Sequence, residues 1–207
     1  KLDTPIILST GASTIDEIDS AIKTIFEQGN QQLMLMACTL SYPAKNENAN
    51  LLRIRTLREH YPDFIIGLSD HTEPDQNMVI PPVAVALGAK IIEKHFTLDR
   101  SMKGSGHFFA MNPEDLKKMV QNIRTTEKVL GDGSLGVAES EKKAWSSARR
   151  SIVADVAIKK GDIISSEMIS LKRPADGLTP DMMDQIIGKR VKHDIKEDQK
   201  VTLEMFE

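Results

Sequence analysis

Two stretches decide the fold: FIIGLSDHT, Phe64 to Thr72, and KIIEKHFT, Lys90 to Thr97. Each begins with a short apolar run and ends in polar residues. Two more runs share this form upstream, PIILST (Pro5 to Thr10) and QLMLMAC (Gln32 to Cys38). Short runs apolar on both faces are what parallel strands buried on both sides require. Longer segments of helical period separate them, so the first 97 residues predict repeated βα units with right-handed crossovers. A dinucleotide-binding sheet would need a glycine-rich turn after its first strand, and Gly11 alone after Ser9-Thr10 matches that poorly. The competing architecture is part of a (β/α)₈ barrel, since a whole one needs roughly 250 residues.

The helices announce themselves locally. Thr14 and Glu17 form a T-x-x-E capping box ahead of the stripe Ile15, Ile18, Ile22, Ile25 and Phe26, with Gly29 as the stop. A second helix is expected from about Asn48 to His60, with Leu51, Ile54 and Leu57 inward. A third is expected around Val83 to Leu87, with Pro81 and Pro82 before or in its first turn. Asn112-Pro113 starts a fourth, with Leu116, Met119, Val120, Ile123 and Leu130 as its apolar face and Gly131 as its end.

The texture changes after Gly131. GDGSLGVAESEKKAWSSA reads as a connector with one short polar helix. RRSIVADVAIKKGDIIS reads as two strands around a Lys-Lys-Gly-Asp turn, and the tail HDIKEDQKVTLEMFE alternates like strands. The expected organisation is a βα domain over 1–138, a linker over 139–148 and a small β-rich module over 149–207. The whole chain has 207 residues, 40% of them apolar, and 27 Lys and Arg against 30 Asp and Glu. That balance excludes disorder and gives no basic footprint for nucleic acid. No run approaches the ~20 apolar residues of a membrane span. One cysteine, Cys38, precludes an intrachain disulfide and suits a reducing cytoplasm, where it is expected as a packed core thiol. The opening KLDTPIILST has neither an initiator Met nor signal-peptide architecture, so a processed chain or a piece of a longer one is expected.

Ligands of βα folds bind at the C-terminal ends of the strands. His71 and His95 each lie at such an end, in consecutive strands. They are either ligands of a divalent first-row metal or histidines satisfied by local hydrogen bonds. Ser9, Thr10, Gly11 and Ser69 either donate to phosphate or carboxylate oxygens or serve ordinary turn chemistry. Glu93 and His95 share one face of their strand and Lys94 takes the other. Glu93 is thus either a carboxylate beside the metal, suited to hydroxyl binding or proton transfer, or a strand charge paired with a helix. His60 and His193 read as surface residues.

SDHT (Ser69 to Thr72), EKHFT (Glu93 to Thr97), Tyr42-Pro43, RRS (Arg149 to Ser151) and KRPADGLTP (Lys172 to Pro180) together resemble the sialic acid synthase family, in the same order and over the whole chain. The resemblance implies an α/β fold: the last four βα units of a (β/α)₈ TIM barrel, followed by a small antifreeze-like (SAF, β-clip) domain. It implies a cytoplasmic enzyme that condenses phosphoenolpyruvate with an N-acylated amino-sugar aldehyde such as N-acetylmannosamine. Legionaminic or pseudaminic acid synthesis is the near alternative, and a non-catalytic carbohydrate-binding or assembly role the distant one. The family's phosphoenolpyruvate-binding lysines and one catalytic glutamate would precede this chain. Carried onto these residues, the resemblance makes His71 and His95 ligands of a divalent metal, usually Mn²⁺. It makes Ser9 and Ser69 phosphoenolpyruvate ligands, places Tyr42 at the sugar site and sets Glu93 against the reacting sugar. Arg173 would reach a partner subunit's barrel in a homodimer with exchanged small domains. Two positions depart from the pattern. Leu40 stands for an asparagine, and Gly106 in Gly104-Ser105-Gly106-His107 stands for an aspartate. His107 is the residue that could compensate, or else a solvent-exposed loop residue.

Overall fold

The structure is a computed structural model that describes residues 4–207. The chain forms two compact units, one up to Gly133 and one from Ser134.

In the first unit, β1 (Ile6–Ser9), β2 (Leu33–Cys38), β3 (Ile65–Asp70) and β4 (Ile91–Lys94) form one parallel sheet in sequence order. Helices α1 (Ile15–Glu27), α2 (Arg53–His60) and α3 (Ile80–Ala86) follow the first three strands, and α4 (Pro113–Leu130) follows the fourth. The core lies on one face of the sheet. Leu33, Leu35, Ala37, Ile66 and Leu68 pack there against Ile18 and Ile22 of α1, Ile54 and Leu57 of α2 and Ala84 of α3. Each such aliphatic side chain contributes roughly 1.5–3 kcal/mol relative to exposure. On the other face Ile7 and Ile65 are each 50% exposed. Sequential strand order with helices on one face is the arrangement of half a (β/α)₈ barrel. A doubly wound sheet would reverse its order and place helices on both faces.

The local signals act as expected. Thr14 accepts from the Glu17 amide at 3.3 Å, and the Glu17 carboxylate accepts from the Thr14 amide at 2.8 Å. The Thr14 amide, then the Thr14 hydroxyl, which donates to the same carboxylate oxygen at 3.1 Å, hold the Glu17 carboxyl below its ordinary range. Asn112 and Asp115 make the same reciprocal cap on α4. The second helix starts at Arg53 and not near Asn48, because Asn46–Asn48 form a 3₁₀ turn and Asn50 sits at φ +43°, outside any right-handed helix. On α4, Met119 is buried with Met78 and Met111, and Leu116 and Ile123 pack beside them. Val120 and Leu130, expected on the same face, are exposed, so the buried stripe is narrower than the sequence suggested. Gly67 is a packing requirement: a Cβ there would overlap the Met36 sulfur and lie 2.7 Å from the Ile91 carbonyl.

Tyr61, at the end of α2, donates its hydroxyl to Asp19 of α1 at 2.8 Å. Burial first, then the Asp19 carboxylate, push the phenol up to about 12. Because the folded value lies above the unfolded one near 10, the folded state favours the neutral phenol. This contribution is complete below pH 10 and is lost as pH rises through 12. A spectrophotometric titration at 295 nm should show a phenolate transition near pH 12 that Tyr61→Phe removes.

In the second unit, β5 (Ser151–Ala154) pairs antiparallel with β6 (Ile169–Lys172). Ile152, Ile158, Ile164, Ile186, Val191, Ile195, Val201 and Phe206 form its core. The expected second strand after the Lys-Lys-Gly-Asp turn is not formed. Ile158 and Ile163 make single bridges to Ile195 and Arg190. The expected strands of the tail are likewise single bridges followed by a 3₁₀ turn at Leu203–Met205. Apolar anchors spaced a few residues apart, from Ile152 to Ile169 and again from Ile186 to Phe206, fill this small core without a sustained ladder. Within the stretch 139–148, a 3₁₀ turn at Glu139–Glu141 leads into the exposed helix α5 (Lys142–Ala148). The Ser146 carbonyl accepts from the Ala175 amide at 3.0 Å. A last short helix, α6 (Met183–Ile186), lies in the loop PADGLTPDMMDQIIG.

Candidate active site at the strand ends

The polar residues predicted at the strand ends do gather, around β3 and β4. These strands pair with Ser69 opposite Glu93 and Asp70 opposite Lys94. Alternation then sends Ser69 and Glu93 to the face away from the helices and Asp70 and Lys94 to the helix side. Directly after each strand comes a histidine. The rings of His71 and His95 are 5.4 Å apart between centroids and inclined at 69°.

His71 is buried, and its Nδ1 lies 2.9 Å from the Thr39 carbonyl oxygen. A carbonyl only accepts, so Nδ1 carries the proton and Nε2 keeps a free lone pair. Cys38, expected as a packed thiol, is buried as predicted and its sulfur also sits 3.8 Å from that Nδ1. Burial, then the neighbouring His71 and Lys94 charges, hold the His95 imidazole below its ordinary value, with Glu93 opposing. Two imidazoles with one outward nitrogen fixed by a backbone carbonyl are a donor set suited to a divalent ion. The 5.4 Å between ring centres is short enough that His71 and His95 would both be within reach of one such ion. Among the described residues no three His, Cys, Asp or Glu side chains surround a common point.

Aromatic rings wall this pair. Tyr42, 54% exposed, lies 4.3 Å from the His71 ring and 5.8 Å from that of His95. Phe109 is buried, with its ring 4.8 Å from His95. Its place was not legible, because nothing in GHFFAM marks which phenylalanine turns back. Gly106 sits at φ +98°, and a Cβ there would be 3.3 Å from His95 Nδ1. The backbone at Gly106 thus runs close against the candidate metal ligand.

Ser69 donates its hydroxyl to Glu93 Oε1 at 2.6 Å. Its single proton is therefore committed, and donation to an anion requires the hydroxyl to turn away from Glu93. Ser9 is exposed at the end of β1, two strands from Ser69. His107 is half-buried, not a free loop residue, and its Nδ1 lies 2.8 Å from Thr97 Oγ1. The Thr97 hydroxyl donates to the Asp99 carbonyl at 3.0 Å. His107 Nδ1 is then the donor, and Nε2 is left as an acceptor. Arg173 belongs to the second unit, where it is exposed and its Nε donates to the Ala148 carbonyl at 2.6 Å. Leu40 is 58% exposed. No helix among the described residues is long and apolar enough to cross a membrane.

Residues 1–135 match the NeuB family, and residues 149–207 match the SAF domain. An N,N'-diacetyllegionaminic acid synthase of Campylobacter jejuni is 38% identical over 201 residues, covering 96% of this chain and 59% of that protein. The N-acetylneuraminate-9-phosphate synthase of Homo sapiens is 30% identical over 204 residues, covering 98% and 56%. The crystal structure of an N-acetylneuraminic acid (sialic acid) synthetase from Leptospira borgpetersenii aligns with a TM-score of 0.62 at 37% identity, over 69% of this chain and 48% of that one. The chain thus spans about half the length of the curated relatives it matches. With both of its parts matched, the chain belongs to the NeuB family and carries a SAF domain.

Proposed function

We propose that the protein carrying this chain is a nonulosonic acid synthase that condenses phosphoenolpyruvate with an N-acylated amino-sugar aldehyde. The observation that carries this reading is the convergence of His71, His95, Ser69 and Glu93 on one end of one sheet face. The C3 carbon of phosphoenolpyruvate bonds to the aldehyde carbon, and the aldehyde oxygen takes a proton. Water adds to C2, and the C–O bond to phosphate then breaks to leave the 2-keto acid. One proton of that water ends on the new hydroxyl and the other on phosphate.

His71 and His95 are the residues that would hold a divalent ion, which we assign as Mn²⁺. When bound, such an ion supplies Lewis-acid polarisation of an oxygen. Glu93, an acceptor already placed at a strand end, orients the sugar hydroxyls and moves the proton of the aldehyde oxygen. His107, with Nε2 free to accept, serves the attacking water. Ser9 and a reoriented Ser69 donate to phosphoenolpyruvate oxygens, and Tyr42 offers an aromatic wall to the sugar. Arg173 is assigned to the N-acyl group of a sugar bound in a partner subunit of a homodimer, and the setting is cytoplasmic. Among the sugars, a 2,4-diacetamido aldehyde leading to a legionaminic acid is favoured over N-acetylmannosamine. The higher identity to the legionaminic acid synthase, 38%, than to the human enzyme, 30%, supports this choice.

The test is phosphate release by the intact protein with Mn²⁺, phosphoenolpyruvate and a panel of 2-acetamido and 2,4-diacetamido hexoses. Release that depends on both an amino sugar and phosphoenolpyruvate is expected. Sugar binding without release from any member of the panel would favour the non-catalytic role.

A further inference from the structure

Behind the two histidines lies an ion pair that the proposed chemistry does not use. Lys94 Nζ is 2.8 Å from Asp70 Oδ2, and both side chains are only 2% exposed. The same ammonium donates to the Thr72 carbonyl at 2.5 Å and to Thr72 Oγ1 at 3.3 Å. Asp70 Oδ1 accepts from the Thr72 amide at 2.9 Å and from its hydroxyl at 2.7 Å. All three protons of Lys94 are thus used, and both Asp70 oxygens are occupied.

Burying two charges is a poor way to gain stability, because an apolar pair of similar volume is often as good or better. A fully bonded buried pair fixes geometry instead. Here the bonds lie one residue away from each candidate ligand. Asp70 and Lys94 are register partners, so their link pins β3 to β4 at the rung immediately before His71 and His95. The Asp70 carboxylate also grips Thr72, which clamps the His71 backbone between two anchored residues. The His71 carbonyl accepts from Ala44 N at 2.9 Å, and the His95 carbonyl from Met111 N at 2.9 Å. Each imidazole therefore extends from a backbone held on both sides.

We propose that Asp70, Lys94 and Thr72 form a positioning device on the helix side of the sheet that sets the separation and orientation of the His71 and His95 imidazoles. The inference rests on the synthase reading for its purpose, but not for its geometry. Outer-shell partners of metal ligands typically govern affinity by about 10- to 100-fold.

In the intact protein, the apolar pair Asp70→Leu with Lys94→Met is expected to weaken Mn²⁺ binding by about 10- to 100-fold, read by electron paramagnetic resonance. It should also move the ring centroids away from their 5.4 Å separation in a metal-free crystal structure. The neutral pair Asp70→Asn with Lys94→Gln, which keeps hydrogen bonds across the rung, should restore most of both. A purely structural role would lower the melting temperature and leave the rings and the affinity of the folded fraction unchanged. If the apolar pair does not fold, Asp70→Glu keeps the charges and displaces the rung by one methylene, and should show the same loss. Wild-type ring separation and Mn²⁺ affinity in a folded apolar or Asp70→Glu variant overturn the inference. Should the unmodified protein take up no Mn²⁺, the metal assignment fails, and the ring separation alone decides the positioning role.

Discussion

Alanine at His71 and His95 together is expected to abolish retention of a divalent ion by the intact protein. Metal content after gel filtration, measured by plasma mass spectrometry, is the readout. The two imidazole rings lie 5.4 Å apart at neighbouring strand ends. The Cys38 sulfur does not replace them, since it faces His71 Nδ1 and not its free Nε2 side. The single variants should differ. His71→Ala also removes the ring N–H that the Thr39 carbonyl accepts at 2.9 Å, leaving that oxygen with the Ser41 amide alone. One lost hydrogen bond is worth about 0.5–1.5 kcal/mol, and the His71 ring is buried, so His71→Ala should melt earlier as well as lose metal. His95→Ala removes a ring packed on Phe109 and Tyr42 and should cost chiefly that packing. Unchanged metal content in the double variant would sink the assignment. Synthase activity persisting in a metal-free double variant would remove the ion from the proposed chemistry too.

What the sequence revealed of this fold was what it encodes locally. The four apolar runs became strands because each is apolar on both faces, which needs no knowledge of partners. The caps at Thr14 and Asn112 were legible because every atom involved lies within four residues. The start of α2 was not, because a single residue, Asn50 at positive φ, interrupts an otherwise helical pattern. In the second unit the alternation around Ile158, Ile163 and Ile195 suggested ladders, yet the chain turns too often to extend a bridge into a strand.

The candidate site divides along the same line. His71 and His95 could be paired on paper, because consecutive parallel strands are neighbours and both residues sit one step past the end. The same reasoning placed Lys94 opposite Glu93 and His95, but its partner, Asp70, depends on the register between β3 and β4, which no local signal gives. The proton that Ser69 commits to Glu93 follows from that register too. His107 reaches Thr97 only because the loop after β4 closes on itself.

Glu93→Gln should lower kcat by about 10²- to 10⁴-fold, the range for loss of one positioned proton-transfer group. The KM for phosphoenolpyruvate should change little. The substitution is sharp because of what it spares. Glutamine keeps the length of the side chain and an oxygen that can accept from Ser69, so the 2.6 Å bond across the β3–β4 rung survives. It removes the negative charge and the ability to take a proton. Glu93→Asp makes the opposite change, since it retains the carboxylate but withdraws it by one methylene from Ser69. If Glu93 works by proton transfer to the aldehyde oxygen, the glutamine variant should be the poorer catalyst. If it only holds the sugar through hydrogen bonds, the aspartate variant should be worse and the sugar KM should carry the loss. Metal content should be at wild-type level in both, because Glu93 lies on the face of its strand opposite the Asp70–Lys94 pair and leaves that rung intact. Steady-state kinetics with sugar and phosphoenolpyruvate varied separately distinguishes the two roles, and a kcat within about twofold of wild type for Glu93→Gln would reject the proton-transfer role.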